Sequence, residues 1–263
     1  MRTRKKSTRS RSHSKKTRNS SRTGKCLFFF DYNKSVQQYF IDSKAETDQI
    51  IDLDKEVLHH LIKVLRKDSS YTFRIADRDG KIFHAHLIDE KRCRIDAFLD
   101  ENNELDCEIT CILSLIKSDK FELCIQKMTE LGVSRIVPFN ARRSVLKIRD
   151  GKKLQRLRKI ALEAAEQCHR NRIPEITKPC DLKDLKQYMS TSNYICYESE
   201  TKISDIGKSD SITYIIGPEG GFDEDEYGKI VSMGFESVSL GKRILRAETA
   251  ALYMTSLIVW KCQ

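Results

Sequence analysis

The sequence has 263 residues, of which 39% are hydrophobic and 33% are charged, and its formal net charge is +10. This length and composition are typical of one large or two modest globular domains with a sizeable core. No apolar run approaches the roughly 20 residues of a membrane span, and the amino terminus lacks the apolar core of a signal peptide. We therefore expect a cytoplasmic protein without a membrane partner.

The nine cysteines include no C-x-x-C pair and are scattered through apolar runs. This pattern favours reduced thiols in a cytosolic protein over a disulfide framework. Cys107 and Cys111 would share one face of a strand, which is compatible with a metal site. Because no histidine lies nearby, buried small side chains are the favoured interpretation, and we predict no metal site.

Residues 1–25 are predicted to be a disordered basic tail. They contain eleven Lys or Arg, ten Ser or Thr and no acid, so they cannot bury enough apolar surface to offset chain entropy. Their charge exceeds that of the whole chain, which leaves a formal charge of −1 for the rest. Such a tail suits binding to a polyanion through counterion release, and RNA is the favoured partner. A targeting peptide is the alternative, because Arg- and Ser-rich termini without acids resemble transit sequences.

Residues 26–104 alternate apolar and polar side chains over short segments that are separated by turn signals. Strands are predicted at residues 27–30, 71–76, 82–88 and 93–99, and Asp77-Arg78-Asp79-Gly80 predicts a hairpin. We expect a small β-barrel from this pattern. One helix, Lys55–Arg66, interrupts it, because an apolar stripe with helical spacing runs through Val57, Leu58, Leu61, Ile62 and Leu65.

Residues 105–263 alternate strands with helices, which predicts an α/β domain with a mostly parallel sheet. The predicted strands cover residues 107–116, 133–139, 194–198, 211–216 and 237–240. The predicted helices cover residues 119–131, 152–170, 223–233 and 248–260. Asp119 with Glu122, and Asp223 with Glu226, resemble capping boxes. Gly132 and Gly234 are expected to end the first and third of these helices.

Two glycine-bearing loops lie near the carboxyl end, at residues 217–222 (Gly-Pro-Glu-Gly-Gly-Phe) and 240–250. Each lies between a predicted strand and a predicted helix, at the edge where open α/β sheets bind ligands. Closely spaced glycines let the backbone approach a ligand and adopt positive φ, which we expect at Gly220. The spacing fits neither a dinucleotide fingerprint nor a phosphate loop. We therefore predict a pocket formed largely by main-chain atoms.

The order G-P-E-G-G-F, then L-G-x-R-I-L-R-x-E-T-A, resembles the signature of the SPOUT methyltransferases of the RsmE type. The similarity extends to residues 117–145 and 154–174 and, more weakly, to residues 59–66. These enzymes methylate N3 of a uridine in 16S rRNA with S-adenosylmethionine. The resemblance implies a PUA-like RNA-binding domain at residues 26–104 and a SPOUT domain with a trefoil knot at residues 105–263. It also implies a homodimer whose partner is 16S rRNA in the small ribosomal subunit, and not DNA.

The resemblance also assigns site residues. Arg143 and Arg246 are expected to stabilise a uracil anion or to hold a phosphate, since guanidinium groups stay charged and can bridge two oxygens. The residues expected to contact the cofactor are Glu198, Ile216, Gly217, Pro218, Glu219, Gly220, Gly221, Leu240, Gly241, Ile244, Leu245 and Thr249. The residues expected on the RNA side are His60, Arg66, Gln167 and Arg170.

Simpler interpretations of several residues stay open. An exposed helix face explains Gln167 and Arg170 as well as RNA contact or support of the site does, and one of His59 and His60 is expected to be packed while the other is exposed. Glu219 or Glu248 could act as a base only if burial raised its pKa, and Glu248 is better explained as a complement to the helix dipole.

Three hypotheses of function follow. The first is 16S rRNA uridine N3 methylation, the second is a SPOUT enzyme with another target such as a tRNA ribose 2′-hydroxyl, and the third is a non-catalytic RNA-binding module. Residues 244–250 together with residues 167–170 favour the first over the second, and intact glycine loops argue against the third.

Overall fold

A computed structural model describes residues 36–144, 146–148, 151–200 and 206–263. The basic tail and the first predicted strand, at residues 27–30, lie outside these ranges. Val36–Gln263 forms one compact unit, and it contains two sheets. Within the described ranges, no helix has both the length and the apolar character needed to cross a membrane.

The first sheet has five strands: β1 (Gln38–Phe40), β2 (Ile50–Asp52), β3 (Thr72–Ala76), β4 (Ile82–Leu87) and β5 (Arg92–Leu99). Their spatial order is β1-β3-β4-β5-β2. The predicted hairpin is confirmed, since β3 and β4 pair antiparallel and Gly80 between them has a φ of 82°. Strands β1 and β2 were not predicted, because three residues are too short to show alternation. Closure of this sheet into a barrel stays a prediction.

The helix predicted at Lys55–Arg66 exists but has two parts. One turn of α-helix, α1 (Lys55–Leu58), leads into a π-helical segment, His59–Val64. Leu61 is buried and packs in the same cluster as Phe73 on β3. The helix therefore covers one face of the first sheet.

The second sheet has six strands: β6 (Glu108–Ser114), β7 (Arg135–Phe139), β8 (Glu175–Ile176), β9 (Ser192–Cys196), β10 (Ser211–Ile216) and β11 (Glu236–Val238). Their order is β11-β9-β10-β6-β7-β8, and every pairing is parallel. Between and after them lie α2 (Ser118–Glu130), α3 (Gly151–Gln167), a 3-10 helix (Leu182–Tyr188), α4 (Glu224–Ser232) and α5 (Ala247–Cys262). The predicted α/β class with a parallel sheet is confirmed.

Helices cover both faces of this sheet. Leu113 and Tyr214 belong to the apolar cluster that includes side chains of α2, α3 and α5. Ile112 and Ile215 belong to the cluster that includes side chains of α4 and the 3-10 helix. Successive residues of a strand point to opposite faces, so a parallel sheet covered on both sides needs continuous apolar strands. This explains the apolar runs in the sequence.

The helix ends agree only partly with the predicted caps. Gly132 and Gly234 follow α2 and α4 with φ values of 96° and 110°, as expected for helix-ending glycines. The capping box predicted for Asp119 is wrong, since Lys117 is the N-cap of α2 and no side chain caps it. Asp223 does cap α4 by accepting a hydrogen bond from the Glu226 N–H at 3.3 Å.

One pair of cysteines corrects the expectation of reduced thiols. Cys107, just before β6, and Cys262, at the end of α5, form a disulfide with Cα atoms 6.1 Å apart. They are 155 residues apart in sequence, so only the fold brings them together. Cys111 is a buried free thiol, as predicted. In the described part of the chain, no cluster of three His, Cys, Asp or Glu could hold a metal ion.

Candidate active site

A cavity of about 670 Å³ opens at the carboxyl edge of the second sheet. Its walls come from the segments that follow β6, β9, β10 and β11, which is the edge predicted to bind a ligand. Its size is typical of a small-molecule site. The lining residues are Lys117, Lys120, residues 196–198, residues 216–221, residues 239–241, residues 243–248 and Ala250.

Most residues predicted to contact the cofactor line this cavity: Glu198, Ile216, Gly217, Pro218, Glu219, Gly220, Gly221, Leu240, Gly241, Ile244 and Leu245. Thr249 does not. It is exposed in the first turn of α5, while Glu248 and Ala250 on either side of it do line the cavity. Ile244 is 88% exposed, so it borders the cavity on its solvent side.

The first glycine loop leaves little room for side chains. A Cβ at Gly217 would lie 2.9 Å from the ring of Phe222, which is itself buried. Gly221 has a φ of 67°, and its N–H closes the turn by donating to the Pro218 carbonyl at 3.0 Å. The expectation of positive φ at Gly220 is wrong, because that conformation belongs to Gly221. A Cβ at Gly220 would make only ordinary contact, 3.5 Å from the Arg143 Cβ.

The loop after β7 brings Arg143 against the first glycine loop, although Arg143 itself is not among the residues that line the cavity. The Ser144 N–H donates to the Ala141 carbonyl at 3.0 Å, which closes a turn with the two arginines at its centre. The Arg143 Nη1 donates to the Gly220 carbonyl at 3.0 Å. The Arg142 guanidinium binds elsewhere, to the carboxylates of Asp223 at 2.8 Å and Asp225 at 2.7 Å. The two arginines therefore bind different partners, Arg143 the glycine loop and Arg142 the start of α4.

The cavity walls also carry cations, namely Lys117, Lys120, Arg243 and Arg246. Arg246 is exposed and is the N-cap residue of α5. The two carboxylates considered as bases both have partners. Glu219 Oε1 accepts the Lys117 N–H at 2.9 Å, and the Glu248 Oε1 lies 3.7 Å from the Lys120 Nζ. Each carboxylate therefore has a structural contact of its own.

Several lining residues were missed by the sequence analysis. Lys117 and Lys120 follow β6, and Tyr197 follows β9, where its ring stacks on Tyr227 with centroids 4.0 Å apart. Lys117 directly follows the strand predicted at residues 107–116, and this position was the signal that could have placed it at the ligand edge. Lys120 lies in the first turn of α2 and Tyr197 fell inside the strand predicted at residues 194–198, so no such signal existed for them.

The residues predicted on the RNA side have mixed surroundings. His60 is half-buried, with its Nδ1 2.9 Å from the Tyr39 hydroxyl, while His59 is exposed. This matches the packed-and-exposed alternative. Arg66 is exposed with a φ of 52°, and Gln167 is exposed as the last residue of α3.

Arg170 contradicts the predicted contact with RNA, and the exposed-face alternative as well. Its side chain is inside the protein, with only 4% of the residue exposed. It donates to Glu104 at 2.5 Å, to the Val133 carbonyl at 2.7 Å and to the Thr129 carbonyl at 3.2 Å. The chain turns inward at His169, which has a φ of 57°. The guanidinium therefore ties the segment before β6 to the end of α2.

Comparison with known proteins places the chain among RNA-modifying enzymes. The RNA methyltransferase domain family matches residues 103–259. Ribosomal RNA small subunit methyltransferase E of Bacillus subtilis (strain 168) is 33% identical over 250 residues, which cover 87% of this chain and 98% of that protein. The chain belongs to the ribosomal RNA small subunit methyltransferase E family. The relative of that name from Mesomycoplasma hyopneumoniae (strain 232) is 33% identical over 83% of this chain and 97% of that protein.

A solved structure of the family has the same fold. Ribosomal RNA small subunit methyltransferase E from Neisseria gonorrhoeae, bound to S-adenosyl methionine, superposes with a TM-score of 0.78 at 28% identity. The match covers 84% of this chain and 95% of that chain. These comparisons confirm the family that the two glycine loops indicated, and the matched region includes all the segments that line the cavity.

Proposed function

We propose that this protein transfers a methyl group from S-adenosylmethionine to N3 of a uridine in 16S rRNA. The main support for the proposal is the cavity at the carboxyl edge of the second sheet, which both glycine loops line and next to which Arg143 donates to the Gly220 carbonyl. The relatives named as small-subunit rRNA methyltransferases support the choice of substrate.

The lining residues suit this cofactor. Ile216, Leu240 and Leu245 offer apolar surface for an adenine ring. The backbone of the first glycine loop offers main-chain donors and acceptors for the polar parts of the molecule. When bound, the cofactor supplies an electrophilic methyl group on a positively charged sulfur.

The chain must then position uridine and stabilise charge. N3 attacks as a nitrogen that has lost its proton, so the pyrimidine oxygens carry negative charge in the transition state. Arg143 and Arg246 are the cations we assign to that charge or to the adjacent phosphate. We assign no general base, because Glu219 and Glu248 are both engaged in contacts of their own.

Domain organisation follows the family pattern in this proposal. A basic tail at residues 1–25 and a PUA-like barrel at residues 26–104 would bind RNA, and a trefoil-knotted SPOUT domain at residues 105–263 would carry the site. The placement of β10 between β6 and β9, with both glycine loops at one edge, supports the second part. We place the enzyme in the cytoplasm, acting on the small ribosomal subunit.

A homodimer is part of the same proposal. Tyr253 and Trp260 on α5 are 46% and 78% exposed. They lie seven residues apart and so share one side of the helix, where large apolar rings are costly to leave in water. A second copy of the chain would cover them.

Mass mapping of nucleosides tests the proposed function. Small subunits from a strain that lacks the gene would be incubated with the protein and S-adenosylmethionine, and their 16S rRNA digested and sequenced by mass. We expect one uridine methylated on its base at N3, with loss of product for Arg143→Ala and little loss for Arg142→Ala. A methylated ribose in tRNA would favour the alternative target. No transfer to any RNA would favour a binding module.

A further inference from the structure

Carboxylates at the start of α4 bind Arg142, the residue that precedes Arg143. Asp223 Oδ1 and Asp225 Oδ2 accept hydrogen bonds from the two terminal nitrogens of the Arg142 guanidinium, at 2.8 and 2.7 Å. Glu226 Oε1 accepts the backbone N–H of Arg142 at 3.1 Å. Three carboxylates of one helical turn therefore fix both the side chain and the backbone of a single residue.

Glu226 differs from the other two carboxylates because it is buried. Only 1% of the residue is exposed, and among the residues that the structure describes its Oε2 has no hydrogen-bond partner. Burial is the largest cause that raises the pKa of this carboxyl group, and the hydrogen bond from Arg142 opposes it. Burial of a carboxylate oxygen without a hydrogen-bond partner costs free energy. The other oxygen satisfies the Arg142 N–H, and this contact is what the side chain contributes to the loop after β7.

The connection to the cavity is short. Helix α4 begins directly after the first glycine loop, whose Gly220 carbonyl accepts the hydrogen bond from Arg143. Arg142 and Arg143 are adjacent in the turn after β7. Fixing the Arg142 N–H on α4 therefore sets where the Arg143 backbone stands relative to the glycine loop. The orientation of a catalytic group to within a fraction of an ångström controls the rate of a displacement reaction.

We infer that Glu226 is a positioning residue, which acts through the Arg142 backbone to hold the Arg143 guanidinium over the reacting uridine. This inference rests on the proposed function, because it requires Arg143 to act in methyl transfer. In this role, Glu226 acts through the Oε1 that accepts the Arg142 backbone N–H. An amide oxygen at the same place should accept this hydrogen bond as well.

Substitutions at Glu226 separate this role from a structural one. Glu226→Gln keeps an acceptor oxygen in place, and its kcat should stay within about twofold of the unaltered enzyme. Glu226→Leu removes the acceptor and should lower kcat about tenfold, while the KM for RNA and the Kd for S-adenosylmethionine change little. Glu226→Asp withdraws the carboxylate by about one carbon–carbon bond, ~1.5 Å, and keeps its charge. It should also lower kcat, and it replaces Leu as the test if the Leu variant does not fold.

A double-mutant comparison decides whether the effect passes through Arg143. With Arg143→Ala already present, Glu226→Leu or Glu226→Asp should cause no further loss of kcat, because the group they misplace is gone. An undiminished loss in that background, or a Gln variant as slow as the Leu variant, would overturn the inference and leave the proposed function intact. If Arg143→Ala itself left kcat unchanged, the assignment of Arg143 and the inference built on it would both fail.

Discussion

Gly221→Ala should weaken cofactor binding far more than Gly220→Ala, although the two glycines are neighbours. Gly221 has a φ of 67°, whereas Gly220 is outside the positive-φ region. Placing an L-residue in the left-handed region costs about 1–2 kcal/mol. In addition, a Cβ at Gly221 would overlap the Glu198 carboxylate, which lines the cavity.

The loop can relieve this strain only by leaving its present shape, and ligand binding would then have to restore that shape. A cost of about 1–2 kcal/mol corresponds to a Kd raised roughly 5- to 30-fold, since about 1.4 kcal/mol is a factor of ten. The Cβ added in Gly220→Ala would lie 3.5 Å from the Arg143 Cβ, which is an ordinary contact. We therefore expect the Kd of that variant within about twofold of the unaltered protein.

Calorimetric titration with S-adenosylmethionine measures both constants, and thermal melts recorded in parallel show that both variants are folded. Equal affinities for the two variants, or weaker binding for Gly220→Ala, would refute the reasoning from backbone conformation. The wall of the cavity would then have to be assigned to another segment.

Three further predictions follow from the charges described above. Arg143→Ala should lower the rate of methyl transfer on the order of 100-fold, as for loss of one preorganised donor, and Arg142→Ala much less, in single-turnover assays; equal losses would contradict the assignment. Burial raises the pKa of Glu166 from 4.5 to about 7, so the folded state holds this proton more tightly and stability falls as pH rises through that window. Glu166→Gln should therefore raise the Tm at pH 8 more than at pH 4.5, and equal shifts would argue against this account. Deletion of residues 1–25 removes eleven positive charges and should flatten the salt dependence of RNA binding without changing cofactor affinity, whereas a large drop in Tm would show that the segment supports the fold.

The parts of the fold that could be predicted are those whose structure is determined by the residue pattern within one short segment. Strand β10 matches its predicted bounds, Ser211–Ile216, because a central parallel strand is buried on both faces and reads as an unbroken apolar run. The glycines at positions 217, 220 and 221 predicted a loop whose backbone approaches other atoms closely. Their position after a strand was enough to place them at the ligand edge.

The errors have a common physical origin in contacts between distant segments. Arg170 continues an amphipathic pattern, and only the turn at His169 and the position of Glu104 bury its guanidinium. Thr249 belongs to a recognisable motif, yet the orientation of α5 against the sheet turns it away from the cavity. Two adjacent glycines look alike in a sequence, and the backbone alone assigns the positive φ to Gly221.

The position of β10 also affects how the protein can be made. It pairs with β6 on one side, with Ser211 opposite Glu108, and with β9 on the other. Synthesis therefore completes β6, β7, β8 and β9 before it produces the strand that joins them, and the inner edges of β6 and β9 stay without their partner until then. Long-range parallel pairing is slow, and unpaired strand edges promote aggregation. A nascent chain stopped before β10 would thus have most of its residues but would lack both the strand that joins β6 to β9 and the glycine loops that line the cavity.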